Sequence, residues 1–234
     1  MWLKADLHTH TADDPTDSPA YSTEMLIDAA AAAGINVLAV TSHGAMSYVP
    51  RLAQYAAHRG LLLIPGAELK LEGKHVVLLN PSPAQLAARS LSELYALKGQ
   101  GELIIAPHPW YPSTTSLRTL LEPNITLFDA IEYCSLHMPG LNFNRRAVRL
   151  AKRVGLPLVG STDTHSLPYM PSTHTLIDAE SFTIAGVLDA IRAQRIKLHS
   201  RPVPFTRVAA VAWGVLFDTC SRSLGMYGEE AVPS

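Results

Sequence analysis

Short, continuous apolar runs alternate with longer Ala- and Leu-rich stretches along the first 200 residues. An apolar run without polar alternation is typical of a strand buried on both faces, as in parallel sheets covered by helices. The stretches between the runs predict helices, the first at residues 23–33, with Ser22 as its N-cap and Gly34 after its last turn. The pattern predicts seven strands: one at the start of the chain and others at residues 36–41, 61–64, 75–79, 102–106, 130–133 and 156–159.

This order of strands and helices predicts an α/β fold in which parallel strands close into a barrel. A single barrel domain over residues 1–200 has the expected size for one core. Residues 201–234 are less periodic, and we expect them to form an extension that packs on the barrel or at an interface. Further helices are predicted at residues 49–58, 83–97, 117–121, 144–154 and 183–194.

Two pairs of ligand-type residues follow the first and the last predicted strand. His8 and His10 come after the first strand, and Asp163 and His165 follow the last one with the same spacing. Residues two apart on an extended chain point to the same face, so each pair can offer two ligands to one ion. A lone His-x-His pair also occurs by chance, and the second pair is what favours a shared metal site. Asp6 is on the same predicted face, where we expect it to accept a hydrogen bond from an imidazole.

Single polar residues follow other strands in the same way. His43, Glu68 and His108 stand at or just beyond the carboxyl ends of the second, third and fifth strands. In an α/β barrel these ends form one rim, where the chemistry is assembled. His75, at the start of the fourth strand, joins the candidates by residue type. Each residue alone is more often a hydrogen-bonded histidine or an ion-paired acid, but together they predict a metal centre at the C-terminal rim.

The ligand types limit which metals this centre would take. Imidazole and carboxylate groups without thiolate suit Zn²⁺, Mn²⁺ or Fe²⁺. A zinc ion takes about four ligands, so the candidates exceed one ion and predict two or three divalent ions. The candidates are His8, His10, His43, Glu68, His75, His108, Asp163 and His165.

The charge of the chain is balanced, with 19 Lys and Arg against 20 Asp and Glu and a net charge of −1. We therefore expect no long nucleic acid as a partner. One local exception is a basic run in the predicted helix 144–154. We interpret it as a solvated helix face, with Arg145 and Arg146 open as phosphate contacts. The run comprises Arg145, Arg146, Arg149, Lys152 and Arg153.

Three observations bear on the compartment. Cys134 and Cys220 form no metal or disulfide motif, which favours reduced thiols. The chain opens on polar, histidine-containing sequence where an apolar leader would stand. The most apolar late run, residues 208–217, is about half as long as a membrane span. We therefore expect a cytoplasmic protein with no membrane partner.

Taken in order, several short motifs resemble those of the PHP (polymerase and histidinol phosphatase) family. The resemblance spans roughly residues 4–200. It implies a distorted seven-stranded, TIM-like (β/α) barrel and a metal-dependent phosphoesterase with a bi- or trinuclear centre. The motifs are His8-x-His10, His43 after a strand, Gly66-Ala67-Glu68, His75-Val76-Val77-Leu78-Leu79, Ala106-Pro107-His108-Pro109, Ile131-Glu132 and Ser161-x-Asp163-x-His165.

The resemblance also implies how the ligands are divided, with Glu68 bridging two ions. For the loop acid of a third ion we favour Asp17 ahead of Asp14, and capping the loop is the alternative role for either. Ser42 stands where relatives often carry Asp or Asn. The implied sets are His8, His10, Glu68 and Asp163 for the first ion, Glu68, His75 and His108 for the second, and His43, His165 and the loop acid for the third.

The implied reaction is hydrolysis of a phosphate ester, with hydroxide generated on the metals as the nucleophile. The expected substrate is a small-molecule or nucleotide phosphate. Three alternatives stay open: a nuclease with the same site, a regulatory metal-binding module without hydrolysis, and a hydrolase of another bond type, such as carbon–nitrogen. Catalysis would depend on His8, His10, Glu68, Asp163 and His165.

Overall fold

The computed structural model describes residues 1–17, 19–169 and 171–203. Within these ranges the chain forms nine strands, six α helices and two short 3₁₀ helices, at Arg118–Leu120 and Ile125–Leu127. The strands are β1 Trp2–Asp6, β2 Val37–Val40, β3 Leu62–Leu71, β4 Lys74–Leu79, β5 Leu103–Ala106, β6 Ala130–Cys134, β7 Leu158–Ser161, β8 Thr173–Asp178 and β9 Ile196–Ser200. The helices are α1 Thr23–Ala32, α2 Pro50–Ala57, α3 Pro83–Leu86, α4 Leu91–Ala96, α5 Arg145–Val154 and α6 Ile184–Arg192.

The strands of the described residues form one sheet in the order β7-β6-β5-β4-β3-β2-β1-β8-β9. Two parallel blocks, β1-β2-β3 and β5-β6-β7, are joined through β4, which is antiparallel to both of its neighbours. β8 and β9 continue the sheet antiparallel beside β1. The α/β barrel is confirmed, but the prediction of seven parallel strands is wrong in count and direction. β8 begins with three polar residues and β9 alternates apolar and polar ones at its start, so both lack the continuous apolar run that marked the other strands.

The sheet curls until its two ends meet. On the β7 side, the Gly160 N–H donates to Thr175 Oγ1 at 2.8 Å, and the Thr175 hydroxyl donates back to Gly160 O at 3.0 Å. Beyond the strand ends, the His10 N–H donates to Thr164 O at 3.1 Å. The chain segments that follow β1 and β7 therefore lie side by side, as expected for a nearly closed barrel.

The β3-β4 hairpin determines where one candidate ligand lies. β3 continues well past the predicted end at residue 64, to Leu71. At the turn, Glu72 and Gly73 both adopt positive φ (50° and 76°), as type I′ hairpin turns require. Because β4 runs antiparallel to β3, its first residues lie at the rim where the parallel strands end. His75 reaches the rim for this reason.

The core divides between the inside and the outside of the barrel. Alternate apolar residues such as Val37 and Ala39 or Val77 and Leu79 form an inner cluster with contributions from most strands. α6 packs against this inner cluster. The intervening residues pack outward against α3, α4 and α5 in one cluster and against α1 and α2 in another. The helices thus cover the sheet and leave the rim for the polar side chains.

Some predicted helices differ from the observed ones. The predicted helix 83–97 is divided into α3 and α4, each with its own serine N-cap, and residues 117–121 contain a 3₁₀ turn. The predicted extension, residues 201–234, lies outside the described residues after residue 203, as does Cys220. None of the helices within the described ranges is long and apolar enough to cross a membrane. The domain boundary near residue 200 and the cytoplasmic location stay predictions.

Candidate metal centre

The structure brings the predicted ligands into one group of contacting side chains at the rim. The segment after β1 carries two of them, the segment after β7 carries two, and the others come from β3, β4 and the segments after β2 and β5. Five overlapping triads have their ligand atoms within 4.8 Å of one another. The triads are His8, His108 and Asp163; His8, His10 and Glu68; His10, Asp14 and His43; His10, Asp163 and His165; and His43, Glu68 and His75.

Glu68 stands at the middle of this group and is 1% exposed. Hydrogen bonds to the segment after β2 hold the Glu68 backbone in place. The Glu68 N–H donates to Ser42 O at 3.0 Å, and the Glu68 carbonyl accepts from the Gly44 N–H at 2.8 Å. Each carboxylate oxygen therefore faces a different set of imidazoles. Oε1 lies 2.9 Å from His75 Nδ1, 3.3 Å from His108 Nε2 and 3.4 Å from His8 Nε2, and Oε2 lies 2.9 Å from His43 Nε2 and 3.6 Å from His10 Nε2.

The two imidazoles after β1 have their tautomers set by carboxylates. His8 Nδ1 lies 2.9 Å from Glu132 Oε1, and His10 Nδ1 lies 3.0 Å from Asp14 Oδ2. A carboxylate can only accept, so each Nδ1 carries a proton and donates. In the neutral rings, Nε2 then presents a lone pair. The two Nε2 atoms lie only 3.1 Å apart, and both are 3.4 Å from Asp163 Oδ1.

This donor set fits divalent cations. Lone pairs and carboxylate oxygens that converge repel one another unless protons or a cation lie between them. His75 Nδ1 is buried and, despite lying 2.9 Å from Glu68 Oε1, is not aligned for a hydrogen bond with it. Within the described part of the chain His108 Nδ1 also has no hydrogen-bond partner. Nitrogen and oxygen ligands of this kind suit zinc, manganese and iron.

The electrostatics of the metal-free site follow from the same contacts. Burial acts to raise the pKa of Glu68, but the surrounding imidazoles hold it well below its ordinary value. The pKa of Asp163 is likewise held well below its ordinary value by His8 and other imidazoles, against the effect of burial. Burial acts to lower the pKa of His43, but Asp14 and Glu68 raise it to about 10. Without metal, His43 therefore keeps its proton to higher pH than a free imidazole, whereas burial lowers the pKa of His75.

The early loop places both candidate acids near the site. Asp14 is 2% exposed, and its Oδ2 accepts from the backbone N–H of His43 and lies 2.8 Å from His43 Nδ1. Asp17 Oδ2 lies 2.9 Å from His165 Nε2. Asp14 thus orients two imidazoles through their Nδ1 atoms, and Asp17 pairs with the outermost one. Asp17 stays the predicted loop ligand.

Two candidate ligands have an unusual backbone. Asp163 has φ of 52° and His108 has φ of 29°, in the region that favours glycine. The Asp163 N–H donates to His8 O at 2.9 Å, and the His108 N–H donates to Glu132 Oε2 at 2.6 Å. These bonds to the site hold the two residues in a conformation typical of functional positions.

The expected role of Asp6 is wrong. Asp6 accepts from the Thr162 N–H at 2.9 Å and from the Tyr169 hydroxyl at 2.7 Å, and burial raises its pKa to about 6. β1 ends at Asp6, so strand alternation does not carry its side chain onto the face of His8. The residue that accepts from His8 is Glu132. The sequence feature that could have identified Glu132 is that it is the single acid in the otherwise largely apolar strand β6.

The basic run of α5 borders a groove on the surface of the protein. Four of its five members line that groove, together with Arg118 from the 3₁₀ segment after β5. Lys152 is the member that does not. The predicted solvated face is therefore one wall of a concave surface.

Comparison with known families agrees with this geometry. The PHP domain model matches residues 6–111, and the PHP-associated model matches residues 142–196. The chain therefore contains a PHP domain followed by a PHP-associated region. The first match contains the rim residues from His8 to His108. No curated protein sequence matches the chain.

Solved structures share the fold at low identity. A two-domain protein from Bacteroides vulgatus, described as containing a predicted PHP-like metal-dependent phosphoesterase, is 20% identical with a TM-score of 0.68, and the match covers 86% of this chain and 65% of that one. PsfC from Pseudomonas syringae is 17% identical with a TM-score of 0.62, covering 95% and 99%. A lesion-specific endonuclease from Pyrococcus furiosus is 16% identical with a TM-score of 0.60, covering 85% and 58%. Such identities establish the PHP fold only.

Proposed function

We propose that this PHP chain is a metal-dependent phosphoesterase that hydrolyses a phosphate ester of a small molecule or nucleotide. The observation that carries the proposal is the convergence of Nε2 of His8 and His10 with Oδ1 of Asp163 and the carboxylate of Glu68. Divalent ions held there would supply charge neutralisation of phosphate oxygens and a lowered pKa for coordinated water. The match to the PHP domain model supports the same reaction class.

The residues of the site would have different roles, as metal ligands or as groups that orient those ligands. Glu68, with one oxygen toward His75 and the other toward His43, would help to hold more than one ion. Glu132 and Asp14 would orient imidazoles from outside the ligand set. We propose two or three ions, drawn from Zn²⁺, Mn²⁺ and Fe²⁺, with the third near His165.

Elemental analysis of gently purified protein, paired with hydrolysis of p-nitrophenyl phosphate before and after metal stripping, tests the proposal. We expect two or three metals per chain, activity lost with chelator, and recovery with Mn²⁺ or Zn²⁺. The variant Glu68→Gln removes the central charge and is expected to lose at least two metals and, by analogy with the loss of a central catalytic group, about 10³-fold in kcat. Glu180→Gln is the matched control, because the Glu180 side chain is 81% exposed.

Other outcomes separate the alternatives. Metal without activity on any phosphate ester, but with activity on an amide, would replace the phosphoesterase with a carbon–nitrogen hydrolase. Metal without any hydrolysis would favour the regulatory module. Absence of bound metal after reconstitution would contradict the proposal at its first step.

A further inference from the structure

A large groove lies between α5 and the chain segment that follows the candidate ligand His108, and it has arginines on two walls. Its volume is about 1410 Å³. One wall is α5 and the other is the 3₁₀ segment containing Arg118. The arginines of the groove are Arg118, Arg145, Arg146, Arg149 and Arg153.

The groove is strongly positive in a chain whose net charge is −1. Glu122 is the acid in its lining, and that carboxylate is already bound by Arg153 at 2.5 Å. Among the described residues, no acid forms an ion pair with Arg145, Arg146 or Arg149. A solvated helix face would not gather a further arginine from another segment. Arg118 comes from a different segment and still lines this groove, and its φ of 48° is uncommon for an arginine.

Short connections join the groove to the metal centre. The Arg118 N–H donates to Pro109 O at 2.9 Å, and Pro109 directly follows the candidate ligand His108 in the chain. At the start of α5, Asn144 Oδ1 accepts from the Cys134 N–H at 3.0 Å. Cys134 lies two residues beyond Glu132 in the chain. A ligand lying in the groove would therefore have one end close to the rim.

Two aromatic residues also line the groove. Trp110 follows the His108-Pro109 segment, and Phe143 precedes α5. Grooves that bind single-stranded nucleic acid combine cations along the phosphate backbone with aromatic faces on which bases stack. From Arg145 to Arg153, α5 rises about 12 Å, since a helix rises about 1.5 Å per residue. That length suits a few nucleotides.

We propose that this groove binds a short single strand of nucleic acid and directs one of its phosphate esters to the metal centre. The second part rests on the proposed phosphoesterase function, whereas binding does not. Charge complementarity without aromatic contact would fit any polyanion, and Trp110 and Phe143 favour a strand that carries bases.

Fluorescence anisotropy of a fluorescein-labelled oligothymidylate of twelve residues, measured with the full chain in EDTA and low salt, tests the binding step. The double variant Arg146→Gln/Arg149→Gln removes two exposed charges from the groove. The control Arg89→Gln/Lys152→Gln removes two exposed charges elsewhere, one of them on the same helix. We expect Kd to rise about tenfold or more in the groove variant and less than about twofold in the control. The slope of log K against log salt should shrink by about 1.4 in the groove variant, since each single-strand phosphate contact contributes about 0.7.

Several results would overturn the proposal: equal loss in both double variants, tighter binding of duplex than of single strand, or equal competition by inorganic polyphosphate of the same charge. Hydrolysis of p-nitrophenyl phosphate with Mn²⁺ should be unchanged in the control Arg89→Gln/Lys152→Gln, whose two side chains lie outside the groove. If the unmodified chain binds the strand in EDTA but hydrolyses no phosphate ester with metal, the phosphoesterase function fails and the binding groove stands.

Discussion

His8 donates its Nδ1–H to Glu132 Oε1 over 2.9 Å, and both side chains are at most 1% exposed. This pair decides which nitrogen of the ring faces Glu68 and Asp163. Glu132 also accepts the backbone N–H of His108 at 2.6 Å. One carboxylate therefore positions two candidate ligands that lie on different segments.

The variant Glu132→Gln should weaken metal binding by about 10–100-fold, the usual cost of losing a residue that orients a metal ligand. The amide can accept only through its oxygen, so its NH₂ group would face one of the two donors. Metal affinity measured by competition with a chelator checks this, with Glu180→Gln as control. Recovery of activity at high metal concentration is expected, because the ligands themselves remain. Unchanged affinity in a folded Glu132→Gln protein would contradict the positioning role.

Substitutions of the two loop acids, Asp14 and Asp17, should affect metal binding differently. Asp17→Asn should lower the metal content by one ion and leave the rest, because Asp17 contacts only the outer His165 among the candidate imidazoles. Asp14→Asn should weaken binding more broadly, because Asp14 orients both His10 and His43. Metal stoichiometry at a fixed excess of Mn²⁺ distinguishes them. If Asp14→Asn loses a single ion while Asp17→Asn loses none, Asp14 is the loop ligand.

The rim was predictable because polar residues at the ends of apolar strands have few structural roles, and strand ends in a barrel meet. The position of Glu132 and Asp6 was harder to predict. Which face an acid takes depends on where strand alternation stops, and β1 stops at Asp6. Arg118 could not be joined to α5 from sequence, since its segment meets that helix only through tertiary packing. The strands β8 and β9 were missed because their pattern is half polar.

Stability of the metal-free protein should fall as the pH rises from about 6.5 to 10. Burial opposes the charge on His43, but Asp14 and Glu68 raise its pKa to about 10, above an unfolded value near 6.5. The stabilisation is therefore fully present below the unfolded value and is lost as pH rises through the folded one. Thermal melting in EDTA should show a declining Tm, less steep in His43→Gln than in the exposed control His58→Gln.

Metal uptake should show the opposite dependence on pH. Imidazoles must be neutral to bind an ion, so binding displaces the protons that His43 and His165 hold, the pKa of His165 being raised to about 8 by Asp17 and Asp163 against burial. Calorimetric titration with Mn²⁺ in two buffers of different ionisation enthalpy should give net proton release at pH 7. A pH-independent affinity would mean that the imidazoles of the metal-free site are already neutral.

Closure of the barrel at β7 can be tested by adding one methyl group. A Cβ at Gly160 would lie 2.5 Å from Leu198 Cδ1, 2.9 Å from Thr173 Cγ2 and 3.0 Å from His174 O. The leucine could move, but the carbonyl belongs to the β8 backbone. Gly160→Ala should therefore destabilise the fold by about 1–3 kcal/mol, as overpacked sites do. Gly101→Ala, with no atom within 4 Å of its new Cβ, should be neutral or slightly stabilising.

Urea unfolding of the two alanine variants measures this difference in free energy. The strain at Gly160 should also reach the metal centre, because Asp163, three residues further on, donates its N–H to His8 O at 2.9 Å. A shift of β7 would move Asp163 relative to His8 and His10. We therefore expect weaker metal binding in Gly160→Ala than in Gly101→Ala at equal fractions folded. Equal stability of the two variants would mean that β7 does not pack against β8 and β9 as closely as described, and the barrel would then be open at this seam.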